Sequence, residues 1–312
     1  MSSDGWDTYW QGSAAAALTA GGSSHPAVTG FWRDLFAELP AAPATLLDLA
    51  SGNGAVVEIA HQVLGDVSAY TCADISAAAL DSIATRFPGI ETLVCDAAAL
   101  PLADASFALV TSQFGIEYAA AGAVDHAVRV LQPGGTLVLM LHYRDGAIHR
   151  QCEASVAAMN IMAQQQFVRR ARDLLHARFA LAGGGDADSY QAAGRAFAPA
   201  LRAVEDVMRQ YGREVAHGTV VRLYRDVRTI HERIARYDQQ EVDAWLDRMQ
   251  VELDAYTGRM QAMCDAALDA AQLQQTSDRI VASGATIRSQ DTLTAADNSL
   301  PLAWTVIADR SS

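Results

Sequence analysis

The stretch Leu46-Leu47-Asp48-Leu49-Ala50-Ser51-Gly52-Asn53-Gly54 decides the fold of this chain. An apolar run enters a turn of small residues, and a helical pattern begins at Ala55. A strand of that character is buried on both faces, as in a parallel sheet covered by helices. Small residues at Ala50, Gly52 and Gly54 let a ligand lie against the backbone, and the N-terminus of the following helix offers unpaired N–H donors. Such a turn suits a dinucleotide or another adenosine ligand. A dinucleotide fingerprint needs a third small residue three positions after its second glycine, where the helix packs closely on the strand. Counted from Gly52 that position is Val57, and the chain lacks a Tyr-x-x-x-Lys pair, so a nicotinamide-dependent reductase is disfavoured.

Outward from this turn, strand-like runs alternate with helical patterns. The runs are Thr45–Ala50, Ala69–Asp74, Glu91–Cys95, Phe107–Ser112 and Thr136–His142; the helical segments are Ala55–Val63, Ser76–Phe87 and Ala123–Leu131. This alternation predicts a Rossmann-like α/β sheet. Pro133-Gly134-Gly135 reads as a turn ending a helix and launching the fifth strand. Ala285–Thr292 and Leu302–Ala308 read as a terminal antiparallel hairpin that closes a seven-stranded, mostly parallel sheet.

Between strand five and strand six the character changes. Val242, Leu246, Met249, Leu253, Tyr256, Met260 and Met263 recur at spacings of four and three, one stripe of a long helix and more readily packing core than substrate surface. Gly183-Gly184-Gly185-Asp186 and Gly218 read as breaks, giving three or four long helices. The expected division is therefore a ligand-binding domain of residues 1–145 and 283–312, and an all-helical insertion of residues 146–282. The insertion suits a lid over an apolar substrate, lined by Met159, Met162, Phe167 and Phe179, and equally a homodimer interface, the two roles not excluding each other.

Composition narrows the partners. The chain has 312 residues, 51% of them hydrophobic, and a formal net charge of −13. That much apolar material builds a core, and the negative charge disfavours nucleic acid and anionic lipid surfaces. The N-terminus has neither the basic nor the apolar region of a secretory signal, and no stretch reaches the length of a membrane span. Cys72, Cys95, Cys152 and Cys264 show no metal-ligand spacing, so no metal is expected, and reduced thiols point to a cytoplasmic protein.

The glycine turn resembles motif I of the class I S-adenosylmethionine-dependent methyltransferases, hydrophobic-D-hydrophobic-G-x-G-x-G, with Ala50 in place of the first glycine. Four further features fall in the family's order: Asp74 ending the second strand, Cys95-Asp96-Ala97 after the third, the segment Asp96–Ala119, and Leu131-Gln132-Pro133-Gly134-Gly135-Thr136-Leu137. The segment is similar to the one shared by small-molecule methyltransferases of the ubiquinone and menaquinone C-methyltransferase kind, with Leu102 and Ala108 where Phe and Asp are usual. The resemblance covers roughly residues 30–145 and the closing strands, but not the helical insertion.

The resemblance implies S-adenosyl-L-methionine as cofactor and methyl transfer to a small-molecule acceptor. It assigns cofactor binding to Asp48, Ala50, Ser51, Gly52 and Gly54, to Asp74 and Ile75, to Asp96 and Ala97, and to the carbonyls around Ser112-Gln113-Phe114. Asp74 suits the ribose hydroxyls, and equally a helix cap. Tyr9 and Trp10, in an aromatic N-terminal segment, are lid candidates or anchors of the tail; His25-Pro26 is a lid or a loop. Glu117 faces the site or solvent. His142 is the best-placed general base, ahead of Tyr143 and His149. No D-P-P-Y or N-P-P-Y, Pro-Cys pair or aspartate cluster marks amino methylation of DNA bases or protein glutamine, cytosine methylation or a magnesium-dependent catechol reaction. The matched motifs bind cofactor and do no chemistry, so a catalytically inactive cofactor-binding scaffold, using its helices to hold a partner protein, stands as the alternative.

Overall fold

The computed structural model describes Trp6, Asp7, Trp10, residues 25–295 and residues 300–311. Seven strands form one sheet: β1 (Thr45–Leu49), β2 (Ala69–Asp74), β3 (Glu91–Val94), β4 (Phe107–Gln113), β5 (Leu131–His142), β6 (Ala285–Thr294) and β7 (Pro301–Arg310). Their order is β3-β2-β1-β4-β5-β7-β6. The first five run parallel, and β7 runs antiparallel between β5 and β6. The Rossmann-like, mostly parallel sheet with a terminal antiparallel hairpin is thus the observed fold.

Side chains alternate between two cores. On one face Leu46, Leu109, Val138 and Met140 meet α1 (Pro26–Ala37), α2 (Ala55–Leu64) and α3 (Ala77–Arg86). On the other Leu47, Val110, Leu137, Leu139 and Leu141 meet α4 (Gly122–Val130). The near-continuous apolar strands of the sequence follow from this two-sided burial. His25 caps α1: its Nδ1 accepts the Ala27 N–H at 3.1 Å, with Pro26 at the first helical position.

The Pro-Gly-Gly turn differs from expectation. Strand β5 already pairs at Leu131, opposite Phe107, and resumes at Thr136 opposite Leu109. Pro133-Gly134-Gly135 is a bulge within the strand, with Gly134 at φ +75°. Proline lacks a ladder donor and glycine tolerates the left-handed turn, so the pattern that reads as a helix end is a strand irregularity.

Six helices, not three or four, link β5 to β6: α5 (Ala147–Gln164), α6 (Phe167–Ala182), α7 (Ala187–Tyr211), α8 (Thr219–Glu232), α9 (Gln239–Ala266) and α10 (Ala270–Ala282). The glycine run separates α6 from α7, whose cap is Asp186, accepting the Asp188 and Ser189 N–H groups. The chain divides into two compact units, Met1–Arg150 with Ala262–Ser312, and Gln151–Gln261. Helix α10 lies in the first unit: Leu273 and Ile280 join the core beside α4, and Arg279 pairs with Asp125 at 2.9 Å. Within the second unit the α9 stripe is packing core, with Val242, Leu246, Leu253, Tyr256 and Met260 buried. Met159, Met162 and Phe167 line a cavity there with Leu253 and Thr257; Phe179 is not part of its wall. Among the described residues no helix is long and apolar enough to cross a membrane.

Candidate functional site

In the order β3-β2-β1-β4-β5, the connections from β1 and from β4 leave in opposite directions, which opens a crevice above the carboxyl ends of the central strands. A cleft of about 850 Å³, open mouth included, lies there. Its wall comes from the turns after β1 to β4, plus Trp6 and Trp10 of the N-terminal segment.

The two central strands both end in a strained residue. Ala50 after β1 has φ +51° and Phe114 after β4 has φ +50°, a region that costs side-chain-bearing residues about 1–2 kcal/mol. The turn holds this form through internal bonds: Gly54 N–H to the Ser51 carbonyl at 2.8 Å, and Ser51 Oγ–H to the Asp48 carbonyl at 2.7 Å. Gly115 allows the two strand ends to approach, since a Cβ there would lie 2.5 Å from the Ala50 Cβ. A Cβ on Gly52 would lie 2.6 Å from the Trp10 ring, so the indole rests directly on the glycine turn. Gly54 instead makes room for Ile83 of α3, at 3.0 Å from such a Cβ.

Asp74 ties β2 to this turn. Its Oδ2 accepts the Gly52 N–H and its Oδ1 the Ser76 N–H, each at 2.8 Å. Burial raises its carboxyl above the ordinary value, although both N–H bonds favour the charged form. The helix cap is Ser76, whose Oγ accepts the Ala79 N–H. Asp96 is exposed at the cleft rim, and its side chain accepts the Ala98 N–H at 2.8 Å. Ile75 is 37% exposed on the wall between them, an apolar surface open to a planar ligand. Cys95 also lines the cleft; burial, then Asp96 and Asp74, push its thiol up, so it stays protonated and a poor nucleophile.

Of the residues singled out for cofactor binding, Ala50, Gly52, Asp74, Ile75, Asp96, Ala97, Phe114 and Trp10 line the cleft. Asp48, Ser51, Gly54, Ser112 and Gln113 are not on its wall. Asp48 is fully buried, accepts the Thr111 hydroxyl at 2.8 Å, and is pushed up to about 7 by desolvation. Ser112 Oγ donates to the Leu49 carbonyl at 2.8 Å and accepts the Ile116 N–H, bridging β1 to the turn after β4. Gln113 accepts the Trp32 indole N–H at 2.5 Å. Tyr9 lies outside the described residues. Gly115 and Trp6 went unassigned on the sequence. Gly115 matters through an approach between two strands that no local pattern reports. Trp6 meets Tyr118 edge-on at 5.3 Å, and the density of aromatics around it was its one signal. Asp7, between the two tryptophans, accepts the Ser76 hydroxyl at 2.5 Å and the Ala78 N–H at 3.2 Å, which hold it below the usual carboxylate range.

The candidate catalytic pair comes together. Glu117 does not face solvent: its side chain is 2% exposed and that of His142 is 3% exposed. Glu117 Oε1 accepts both the His142 main-chain N–H at 3.0 Å and its Nδ1 at 2.7 Å. The remaining atoms of the pair, Glu117 Oε2 and His142 Nε2, are buried without a hydrogen-bond partner among the described residues. Leaving such groups unpaired costs about 1–3 kcal/mol each. The imidazole packs on Phe114 at 4.4 Å and meets Tyr118 edge-on at 5.8 Å, one side chain behind the cleft wall. Tyr143 is engaged elsewhere, stacked on Trp304 at 4.1 Å.

The cleft's charge is one-sided. Its lining holds two carboxylates, Asp74 and Asp96, four aromatic rings, Trp6, Trp10, Phe114 and Tyr118, and no Lys, Arg or His among the described residues. Among the described residues an anion would meet only backbone N–H groups there, not a basic side chain. The lining suits a cation presented to aromatic faces, and hydroxyl or amino donors presented to carboxylates.

Residues 47–139 match the model of a methyltransferase domain. Relatives include the ubiquinone/menaquinone biosynthesis C-methyltransferases of Methylobacterium nodulans, 38% identical over 105 residues (31% of this chain, 42% of that protein), and of Legionella pneumophila, 34% identical over 104 residues (31% and 42%). This chain thus spans less than half the length of the curated relatives it matches. Among solved structures, geranyl diphosphate C-methyltransferase from Streptomyces coelicolor, in complex with Mg2+, geranyl diphosphate and S-adenosyl-L-homocysteine, is similar at 20% identity and a TM-score of 0.33, over 37% of this chain and 46% of that one.

Proposed function

We propose, on the premise that residues 47–139 belong to the class I S-adenosylmethionine-dependent methyltransferase family, that this chain transfers a methyl group from S-adenosyl-L-methionine to a small-molecule acceptor. The observation that carries the reading is the cleft lining: carboxylates and aromatic rings around a glycine turn, with no basic side chain. A sulfonium cofactor is a cationic adenosine compound without phosphates, and aromatic faces and carboxylates are the donor set that suits it.

In this reading Asp74 takes the ribose hydroxyls with lone pairs its two backbone bonds leave free, Ile75 and Ala97 flank the base, and Asp96 receives the base's amino group. The turn from Ala50 to Gly52 and the strand end at Phe114-Gly115 face the methionine portion. Asp48, Ser51, Gly54, Ser112 and Gln113 shape those turns from beneath. Trp6 and Trp10 exclude water from the cleft mouth. When bound, the cofactor supplies a methyl group on a sulfonium that is already electrophilic, so the protein's part is to orient, desolvate and manage protons. The acidic balance of the chain and the kind of relatives it matches support a small-molecule acceptor over nucleic acid.

Calorimetry with S-adenosyl-L-methionine, S-adenosyl-L-homocysteine and NAD+ tests this. Binding of the first two without the third is expected, followed by transfer of labelled methyl to a metabolite extract. Preference for NAD+ would refute the cofactor. Tight binding with no labelled product would favour a cofactor-binding scaffold.

A further inference from the structure

We propose that the His142–Glu117 dyad is the proton acceptor of the methyl transfer, and that the acceptor substrate is therefore one that must shed a proton: a phenol, an enol or an activated carbon acid. This rests on the methyltransferase reading above.

A histidine kept only for packing usually spends both ring nitrogens on partners or stands in solvent. His142 does neither. Nδ1 and the main-chain N–H both go to one carboxylate oxygen, which fixes the ring and assigns its proton to Nδ1. Nε2 is left with its lone pair, buried and unpartnered, and Glu117 Oε2 is in the same state. Two orphaned buried polar atoms on one hydrogen-bonded pair suit a site whose missing partner is a ligand. The location agrees: the ring lies against Phe114 and Tyr118, which both line the cleft, at the carboxyl end of β5 beside the strained end of β4. On this proposal the acceptor reaches Nε2 from the cleft past Phe114 or Tyr118.

Charge bookkeeping supports the pairing. The bond from the acceptor atom to the methyl carbon forms as the carbon–sulfur bond breaks, its electron pair leaving with sulfur. The acceptor's bond to hydrogen breaks with its pair staying on the acceptor atom, and the proton passes to Nε2. One positive charge leaves sulfur and one appears on imidazolium, beside the buried Glu117 carboxylate throughout. The site's net charge does not change, so no ion need be created in a low-dielectric cavity. Glu117 is the positioning residue: it sets the tautomer and offsets the imidazolium. Acceptors methylated on a free lone pair, such as pyridines or thioethers, need no such dyad.

The test is nitrogen NMR of the His142 imidazole in the full chain, assigned with His142→Gln. It is run free, with S-adenosyl-L-methionine and with S-adenosyl-L-homocysteine. Glu117 and Tyr118 are the titratable groups that face the ring among the described residues. The expected results are an Nδ1-protonated ring, and an Nε2 resonance displaced further by the sulfonium ligand than by the neutral thioether, because a nearby cation polarises the free lone pair. Both ligands binding with identical His142 nitrogen resonances, or an Nε2-protonated ring, overturns the dyad and leaves the methyltransferase reading standing. Failure of both ligands to bind removes the reading and the dyad together. With labelled cofactor, phenol and cyclic 1,3-diketone probes should be methylated and lose at least 100-fold in rate in His142→Gln. Methylation confined to pyridines or thioethers, and indifferent to that variant, also overturns it.

Discussion

Replacing Asp48 by asparagine tests how the sheet holds its turn. Asp48 sits inside β1, fully buried, with the Thr111 hydroxyl on Oδ1. Desolvation, only partly offset by its hydrogen bonds, pushes its carboxyl from 3.8 up to about 7. The sign follows from proton counting. Between these two values the folded state holds a proton that the unfolded chain releases, so stability falls as pH rises. A displacement of that size is worth about 4 kcal/mol in all, of which roughly 2–3 kcal/mol is lost between pH 5 and pH 8. Asp48→Asn removes the titration and nearly preserves the shape. Urea unfolding of both proteins at pH 5 and pH 8 should therefore show wild type losing about 2–3 kcal/mol more than the variant across that interval. At pH 5 the two should lie closer together, and at pH 8 the variant should gain relative to wild type. Equal pH slopes for the two proteins would refute a buried, proton-retaining Asp48.

Three further outcomes follow from the cleft. Asp74→Asn, which keeps one acceptor oxygen and loses the charge, should weaken S-adenosyl-L-methionine binding roughly 10–100-fold by calorimetry, the worth of a charged hydrogen bond; unchanged affinity would remove its ribose role. Gly115→Ala places a methyl 2.5 Å from the Ala50 Cβ and should cost about 1–3 kcal/mol of stability together with cofactor affinity, whereas a neutral result in melting and calorimetry would show that the strand ends can part freely. Ala50→Gly keeps a left-handed backbone without a side chain and should raise stability by up to about 1 kcal/mol, the strain relieved less the entropy glycine adds to the unfolded chain; a lower melting temperature would show that the Ala50 methyl packs more than it strains.

The order of strands and the place of the glycine turn were legible because each depends on neighbours in sequence. Apolar runs of strand length, a small-residue turn and a following helix are local signals, and their repetition allows few topologies. Asp74 and Asp96 were legible for the same reason, since each follows a strand whose end the pattern marks. The Pro-Gly-Gly bulge and the number of helices between β5 and β6 were misread. Bulges depend on the register of a partner strand, and an amphipathic stripe says which face is buried without saying where a helix stops. Helix α10 looked like part of the helical block, because nothing local to Ala270–Ala282 tells that Leu273 and Ile280 face the sheet.

By itself, then, the chain's sequence determined the alternating architecture, the hairpin that returns to the sheet and the glycine turn after β1, all products of periodicity and short-range spacing. Tertiary structure decided which of the named residues face the cleft and which hold it up from beneath, that Trp10 lies on Gly52, and that Glu117 and His142 share one buried hydrogen bond. Those facts join residues 25 to 42 positions apart through the pairing of β4 with β5 and the docking of the N-terminal segment. Distances of that kind are set when the cores on the two faces of the sheet close, not by any stretch of chain read alone.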